Sequence, residues 1–125
     1  MKRIINTDKA PKAAGPYSQA VEINGTLYVS GQLPLNPETG KFVSDDIREQ
    51  TEQVLKNTEN ILKAAGYSLA DVVKSTVLLK DIGDFAAMNE VYAGVYTENQ
   101  PARVAFQVAA LPMGALVEIE TIAAK

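Results

Sequence analysis

The chain contains no cysteine and no histidine among its 125 residues. It therefore has no disulfide, no thiolate zinc site and no cysteine nucleophile, and it lacks the commonest metal ligand and the commonest general base. These absences exclude most hydrolase chemistries. Carboxylates, tyrosines, lysines, arginines, hydroxyls, backbone groups and bound water remain, and we expect neither a metal nor another cofactor.

Positive charge and long apolar runs are also scarce. The 12 Lys and Arg residues against 15 Asp and Glu residues give a net charge of −3, with a pI near 4.9. This balance argues against nucleic acid as a partner. No stretch approaches the ~18 apolar residues of a membrane span, and the N-terminus leads into a polar run. We expect one domain over residues 1–125, working in the cytoplasm without a membrane.

The strongest local signal is the pair Asn24-Gly25, which separates two strand-like runs. Asn-Gly tolerates the positive φ angles of a type I′ turn, so the pair predicts a two-residue β-hairpin. In that register the numbers of paired residues add up to 49, as for Ala20 and Val29.

Two helices and three further strands are predicted beyond the hairpin. Capping residues at 44–46 and a stop at Gly66 enclose an amphipathic helix of about five turns. Asp84 caps a second helix with an apolar stripe from Phe85 to Tyr96. The predicted strands are Val72 to Lys80, apolar on both faces, Val104 to Ala109, and Leu116 to Ala123.

This order of elements predicts an α+β domain, a β-sheet with two helices on one face. The opposite face is too apolar for water, since Leu78 alternates with Val77 and Leu79 and the last strand ends in apolar residues. Packing of the sheets of several copies against one another would cover it, so we expect a homo-oligomer.

Arg103 is one of only three arginines and lies in an otherwise apolar run, from Pro101 to Val108. A guanidinium stays charged at biological pH, and its burial without a partner is costly. Alternation places Arg103 on the face with the small residue Ala105, which leaves room beside it. Its partner is either an internal carboxylate, Glu118 or Glu120, or an acidic ligand. The pattern leaves both open.

Other polar residues also have two interpretations. Glu118 and Glu120 project to one face of the last strand, as in a catalytic site or in an ordinary charged surface. Tyr17 could serve a site or fill a turn. Asn89, beside the apolar stripe of the second helix, could bind substrate or form a local hydrogen bond.

Several separated motifs, in order along nearly the whole chain, resemble the Rid family, formerly called the YjgF family, and most of all its imine deaminase subfamily. The motifs are Gly15-Pro16-Tyr17-Ser18-Gln19-Ala20, Val29-Ser30-Gly31-Gln32-Leu33-Pro34, Pro101-Ala102-Arg103 with Leu111-Pro112, and Val117-Glu118-Ile119-Glu120.

The resemblance implies a chorismate-mutase-like fold with a mixed sheet, assembled as a homotrimer around a central β-barrel with the helices outside. It also implies a site in a cleft between neighbouring subunits. There Arg103 would hold the substrate carboxylate, Glu118 would position water and Tyr17 would close the pocket or share a proton. Many bacterial relatives have cysteine where this chain has Ala105, so no thiol acts there. The matching positions are Tyr17, Ser30, Gly31, Asn89, Arg103, Ala105 and Glu118.

The implied reaction is hydrolysis of 2-imino acids, such as 2-iminobutanoate and 2-iminopropanoate or their enamine tautomers, to 2-keto acids and ammonia. Pyridoxal-phosphate dehydratases release such imines. A protonated imine carbon is already electrophilic, so the protein needs mainly to orient it and a water. The alternatives are a regulatory module that binds keto acids and an endoribonuclease or translation inhibitor. The acidic pI and the lack of a basic aromatic patch count against the last.

Overall fold

A computed structural model describes residues 1–125 and shows a six-stranded mixed sheet with two α-helices, which confirms the α+β prediction. Strands β4 and β5 are parallel, and every other neighbouring pair is antiparallel. No helix has the length and apolar character needed to cross a membrane. The sheet order is β1-β2-β3-β6-β4-β5, formed by β1 (Arg3–Ile5), β2 (Ala20–Ile23), β3 (Thr26–Gln32), β4 (Val72–Leu79), β5 (Ala102–Gln107) and β6 (Val117–Ala124); the helices are α1 (Ile47–Ala64) and α2 (Phe85–Val95).

The predicted hairpin is present in the predicted register. Ala20 pairs with Val29 across β2 and β3, and the turn residues Asn24 and Gly25 have φ angles of 50° and 78°. Both values lie in the left-handed region that a type I′ turn requires. A Cβ at Gly25 would also approach the backbone oxygen of Lys125 to 2.6 Å, so this position needs glycine for two reasons.

Both helices lie where the sequence places them. The carboxylate of Asp46 accepts a hydrogen bond from the backbone N–H of Glu49 at 3.0 Å and caps α1, and Gly66 follows its C-terminus with φ +84°. The second helix begins at Phe85, but the side chain of Asp84 makes no capping hydrogen bond. Asp84 therefore occupies the predicted N-cap position, but the capping hydrogen bond expected of its side chain is not formed.

The strand predictions differ from the structure in three respects. Strand β1 was not predicted, because its three residues are stabilised by pairing with β2 and carry no local signal. Strand β5 begins and ends two residues before the predicted bounds, at Ala102 and Gln107 instead of Val104 and Ala109, so it includes Arg103. Strand β4 is buried on one face only, since Thr76 and Leu78 are half-buried within the single chain.

The core lies between the sheet and the two helices. Its sheet side includes Val77, Leu79 and Ile119, and its helix side includes Ile61 and Met88, all 0% exposed. The opposite sheet face leaves several large apolar side chains 43–54% exposed: Ile4, Tyr28, Val104 and Phe106. A face of this character is typical of a surface that another chain covers.

Candidate functional site

A cavity of about 560 Å³ opens between β3, β6 and the loop that precedes β6. It brings together the predicted residues Tyr17, Ser30, Gly31 and Glu118, which lie far apart in the sequence. Its full lining is Ala14, Tyr17, Ser30, Gly31, Leu33, Pro112, Met113, Glu118 and Glu120. Both candidate glutamates therefore face the same cavity.

A β-bulge in β3 shapes this cavity. Val29 pairs with Thr121 and Gln32 with Ile119, so two residues of β3, Ser30 and Gly31, lie opposite one residue of β6. The extra residue brings the backbone of Gly31 against Glu118. A Cβ at position 31 would lie only 3.0 Å from Glu118 Cδ and would collide with its carboxylate oxygen. Glycine at 31 therefore leaves space for the Glu118 carboxylate.

Glu118 is half-buried, and its pKa is raised above the ordinary value. Burial is the main cause, because removal from water disfavours the charged form, and the negative charge of Glu120 on the same strand adds to it. A carboxyl group with a raised pKa accepts a proton more readily than an ordinary surface glutamate. Glu118 is thus more buried than its neighbour Glu120, which is exposed.

Tyr17 and Ser30 form the rim of the cavity. The Tyr17 side chain is 55% exposed, and its hydroxyl accepts a hydrogen bond from the backbone N–H of Ala14 at 3.3 Å. The Ser30 hydroxyl donates to the backbone oxygen of Ser18 at 2.6 Å. Each side chain is thus held by the backbone and can face a ligand without a large rearrangement.

Arg103 lies beneath α2, away from this cavity. Its Nη1 donates a hydrogen bond to Oδ1 of Asn89 at 2.8 Å. The guanidinium carbon lies 4.7 Å from the ring centre of Tyr92 and 5.5 Å from that of Phe85. These contacts hold the side chain through one neutral amide and two aromatic faces.

Arg103 is in none of the three salt bridges of the chain. The internal carboxylate partner that the sequence left open is therefore not found. A guanidinium has five N–H donors, and the chain engages one of them through Asn89. The others remain available to an acidic ligand.

Arg103 and Glu118 project to opposite faces of the sheet. Arg103 pairs with Ser75 of β4, which is 0% exposed beneath the helices, whereas Glu118 pairs with Leu78, three residues further along β4. Side chains three residues apart on a strand point to opposite faces. The seven predicted site residues thus form two half-sites in one chain. The helix-side half-site contains Asn89, Arg103 and Ala105, and the cavity half-site contains Tyr17, Ser30, Gly31 and Glu118.

Sequence reasoning missed the aromatic platform of Arg103, and it did not assign four residues of the cavity lining to the site: Ala14, Leu33, Pro112 and Met113. Tyr92 and Phe85 were interpreted as parts of an apolar stripe. The spacing of Tyr92 three residues after Asn89 places both on one side of α2 and could have indicated the contact. Met113 carries no such signal. Its φ of 59° and 67% exposure are visible only in the structure. No group of three or more carboxylates is placed to hold a metal ion.

The family model described as "Endoribonuclease L-PSP" matches residues 7–125. Among curated proteins, the human 2-iminobutanoate/2-iminopropanoate deaminase is 52% identical over 98% of this chain and 90% of its own length. These matches cover both half-sites.

Solved structures show the same fold. A Yersinia pestis protein of unknown function, described as a member of the conserved Rid protein family, has a TM-score of 0.98 and 48% identity, with full coverage of both chains. Escherichia coli TdcF with bound serine has a TM-score of 0.94 and 41% identity, over 98% of each chain.

Proposed function

The chain belongs to the Rid family, whose model is described as Endoribonuclease L-PSP, and from that premise we propose that it hydrolyses 2-imino acids to 2-keto acids and ammonia. The observation that supports this proposal best is the unneutralised guanidinium of Arg103. It has one neutral hydrogen-bond partner and no salt bridge. A bidentate contact to the carboxylate of a small acid would use its remaining donors.

The complete site requires two copies of the chain. Because Arg103 and Glu118 lie on opposite faces of one sheet, no single chain can place both against one small substrate. A neighbouring copy that covers the apolar sheet face would bring its own helix-side half-site toward the cavity half-site. We therefore place the site at the boundary between copies, in a homotrimer with the sheets at its centre.

The proposed reaction needs few catalytic side chains. Arg103 would hold the substrate carboxylate, and Glu118 would take a proton from a water that attacks C2 of the protonated imine. The resulting carbinolamine accepts that proton on nitrogen and its C–N bond breaks, while the C2 hydroxyl gives its proton to Glu118 and becomes the keto oxygen. Glu118 then passes this proton to the departing ammonia, which leaves as ammonium. Water and imine are consumed in equal amounts, and no cofactor or redox step is needed.

The test uses 2-iminobutanoate generated during the assay from threonine by a dehydratase, with 2-ketobutyrate release as the readout. We expect Arg103→Ala to lose catalysis by more than about tenfold, since a charged hydrogen-bond pair contributes roughly 1.5–3 kcal/mol. Arg48→Ala is the matched control, because Arg48 forms a surface salt bridge with Glu90 and should not matter. A folded Arg103→Ala protein that hydrolyses the imine at the parent rate would contradict the proposal.

A second candidate function is the binding of small amino or keto acids without turnover. The TdcF structure with bound serine favours it, since that relative holds a small carboxylate-bearing molecule. Calorimetry with 2-ketobutyrate separates the two candidates. Binding that Arg103→Ala abolishes, together with imine hydrolysis no faster than in buffer, would favour the binding module.

A further inference from the structure

Four buried hydroxyl groups lie on the helix side of the sheet close to Arg103. They belong to Ser75, Tyr92, Tyr96 and Thr121, which are 0%, 5%, 4% and 1% exposed. Thr121, Ser75 and Arg103 occupy one row across β6, β4 and β5, and their side chains point to the same face. None of the four hydroxyl oxygens has a hydrogen-bond partner within the chain. Their position beneath a candidate ligand-binding residue needs an explanation.

Tyr92 connects this cluster to Arg103. The guanidinium carbon lies over the Tyr92 ring, 4.7 Å from its centre. The Tyr96 ring packs against the Tyr92 ring, with 4.7 Å between the ring centres and a tilt of 40°. The Ser75 hydroxyl lies near enough to both phenols to influence their pKa values, although it makes no hydrogen bond of good geometry with either. The ring that supports the cation thus has its polar end inside the cluster.

Both phenols are neutral donors under ordinary conditions. Burial is the main reason that the pKa values of Tyr92 and Tyr96 are raised. Neutral hydroxyls donate as well as accept, and an internal water typically makes about three hydrogen bonds to buried polar groups. The four unpartnered hydroxyls come from β4, β6 and the C-terminal end of α2.

We infer that Tyr92 is a positioning residue for Arg103, and that the hydroxyls of Ser75, Tyr92, Tyr96 and Thr121 bind an internal water that fixes the Tyr92 ring beneath the guanidinium. The inference rests on the proposed function in one respect, namely that Arg103 binds the substrate carboxylate. The ring supports the guanidinium at 4.7 Å, and Asn89 holds its Nη1 by a hydrogen bond. The remaining donors then point in one direction before a ligand arrives, which reduces the ordering cost of binding.

An ordinary packing role for Tyr92 makes a different prediction. If the hydroxyl were simply unpaired in the core, Tyr92→Phe would remove a buried polar group and raise the melting temperature. If the hydroxyl binds an internal water, the same substitution leaves that water and the other hydroxyls with fewer partners. We then expect a lower melting temperature. A rise would overturn the water site.

The position of Arg103 can be read directly by NMR because the chain has only three arginines, Arg3, Arg48 and Arg103. Each gives one Nε–H signal, and Arg103→Lys identifies its own by removing it. In the parent protein the ring of Tyr92 should displace the Arg103 signal through its ring current. We expect Tyr92→Leu to move that signal and to weaken 2-ketobutyrate binding about three- to tenfold, the range of a cation–π contact.

Tyr67→Leu is the matched control. Tyr67 is 4% exposed, comparable to Tyr92, but its hydroxyl donates to Glu22, the partner of Arg3. This variant should move the Arg3 signal and leave Arg103 and ligand binding unchanged. An Arg103 signal unmoved by Tyr92→Leu, or moved as much by Tyr67→Leu, would overturn the positioning role.

The readouts also separate this inference from the proposed function. If the parent hydrolyses no imine but Tyr92→Leu still shifts the Arg103 signal, the positioning role stands and the deaminase proposal fails. If Tyr92→Leu fails to fold, Tyr92→Phe replaces it, because this variant keeps the ring and removes only the hydroxyl that fixes it. A shifted Arg103 signal in Tyr92→Phe supports the inference, and an unmoved signal overturns it.

Discussion

The placement of Arg103 and Glu118 on opposite sheet faces predicts that two inactive variants restore each other's activity. The perturbation is Arg103→Ala in one preparation and Glu118→Gln in another. Loss of a general base typically costs about 10²–10⁴-fold, so Glu118→Gln should be nearly inactive. Arg103→Ala loses the carboxylate contact and should keep less than about a tenth of the parent activity. If each site takes Arg103 from one copy and Glu118 from a neighbour, a mixed oligomer contains some sites with both residues intact.

The size of the restored activity follows from counting subunits. A trimer that contains both variants has one boundary at which an intact Arg103 meets an intact Glu118 of the next copy, so roughly one site in three is intact. We therefore expect about a third of the parent activity per site. A site built within one chain would give none, since every copy carries one lesion.

The assay is imine hydrolysis after the two variants are co-expressed with different affinity tags, and mixed oligomers are purified by both tags in sequence. A second mixture, of the parent with the double variant Arg103→Ala and Glu118→Gln, supplies the control. Purified in the same way, mixed trimers should retain roughly a sixth of the activity if sites lie between copies and roughly half if they lie within one chain. Mixed oligomers that contain both tags but show no restored activity would refute the two-copy site.

Three further predictions concern Glu118 and its surroundings. Gly31→Ala should displace the Glu118 carboxylate and reduce activity by at least about tenfold. The free energy of unfolding should change by less than about 1 kcal/mol, because the added Cβ collides with the flexible end of a side chain. Gly94→Ala is the control, since no atom lies within 4 Å of its added Cβ, and equal activities of the two variants would contradict the reasoning. Glu120→Gln removes a charge that raises the pKa of Glu118, so the acidic limb of the pH–rate profile should move to lower pH, and a shift to higher pH would be inconsistent with Glu118 as the base. Because the folded-state pKa of Glu118 is raised, its contribution to stability is greatest below the unfolded-state pKa and is lost as pH rises through the folded-state pKa. Glu118→Gln should therefore raise the melting temperature at neutral pH, measured by thermal unfolding.

Local signals were sufficient for the hairpin and for α1. Asn24-Gly25 determines the turn geometry by itself, and Asp46 and Gly66 provide the caps within a few residues of the helix. Strand β1 and the start of β5 depend on pairing with strands distant in the sequence, so no local sequence pattern predicts them. The alternation along β6 correctly placed Glu118 and Glu120 on one face, because that inference needs only the period of a strand.

The partner of Arg103 could not be predicted from periodicity. Alternation within β5 and within β6 gives the face of each residue relative to its own strand, but it does not relate the two strands. That relation comes from β4, which lies between them and pairs with Arg103 through Ser75 and with Glu118 through Leu78. Only the registers on both sides of β4 show that an ion pair within the chain is impossible.

This separation has an electrostatic consequence for the site. If Arg103 and Glu118 faced each other in one chain, they would neutralise each other, and a substrate carboxylate would have to displace Glu118 before it could bind. In the folded chain Arg103 keeps free donors, and the pKa of Glu118 is raised by burial and by Glu120, with no cation among the causes. When copies assemble, a neighbouring guanidinium would lower that pKa, whereas further burial would raise it. A substrate carboxylate bound to the guanidinium would cancel much of the first effect and leave Glu118 basic enough to take a proton from water.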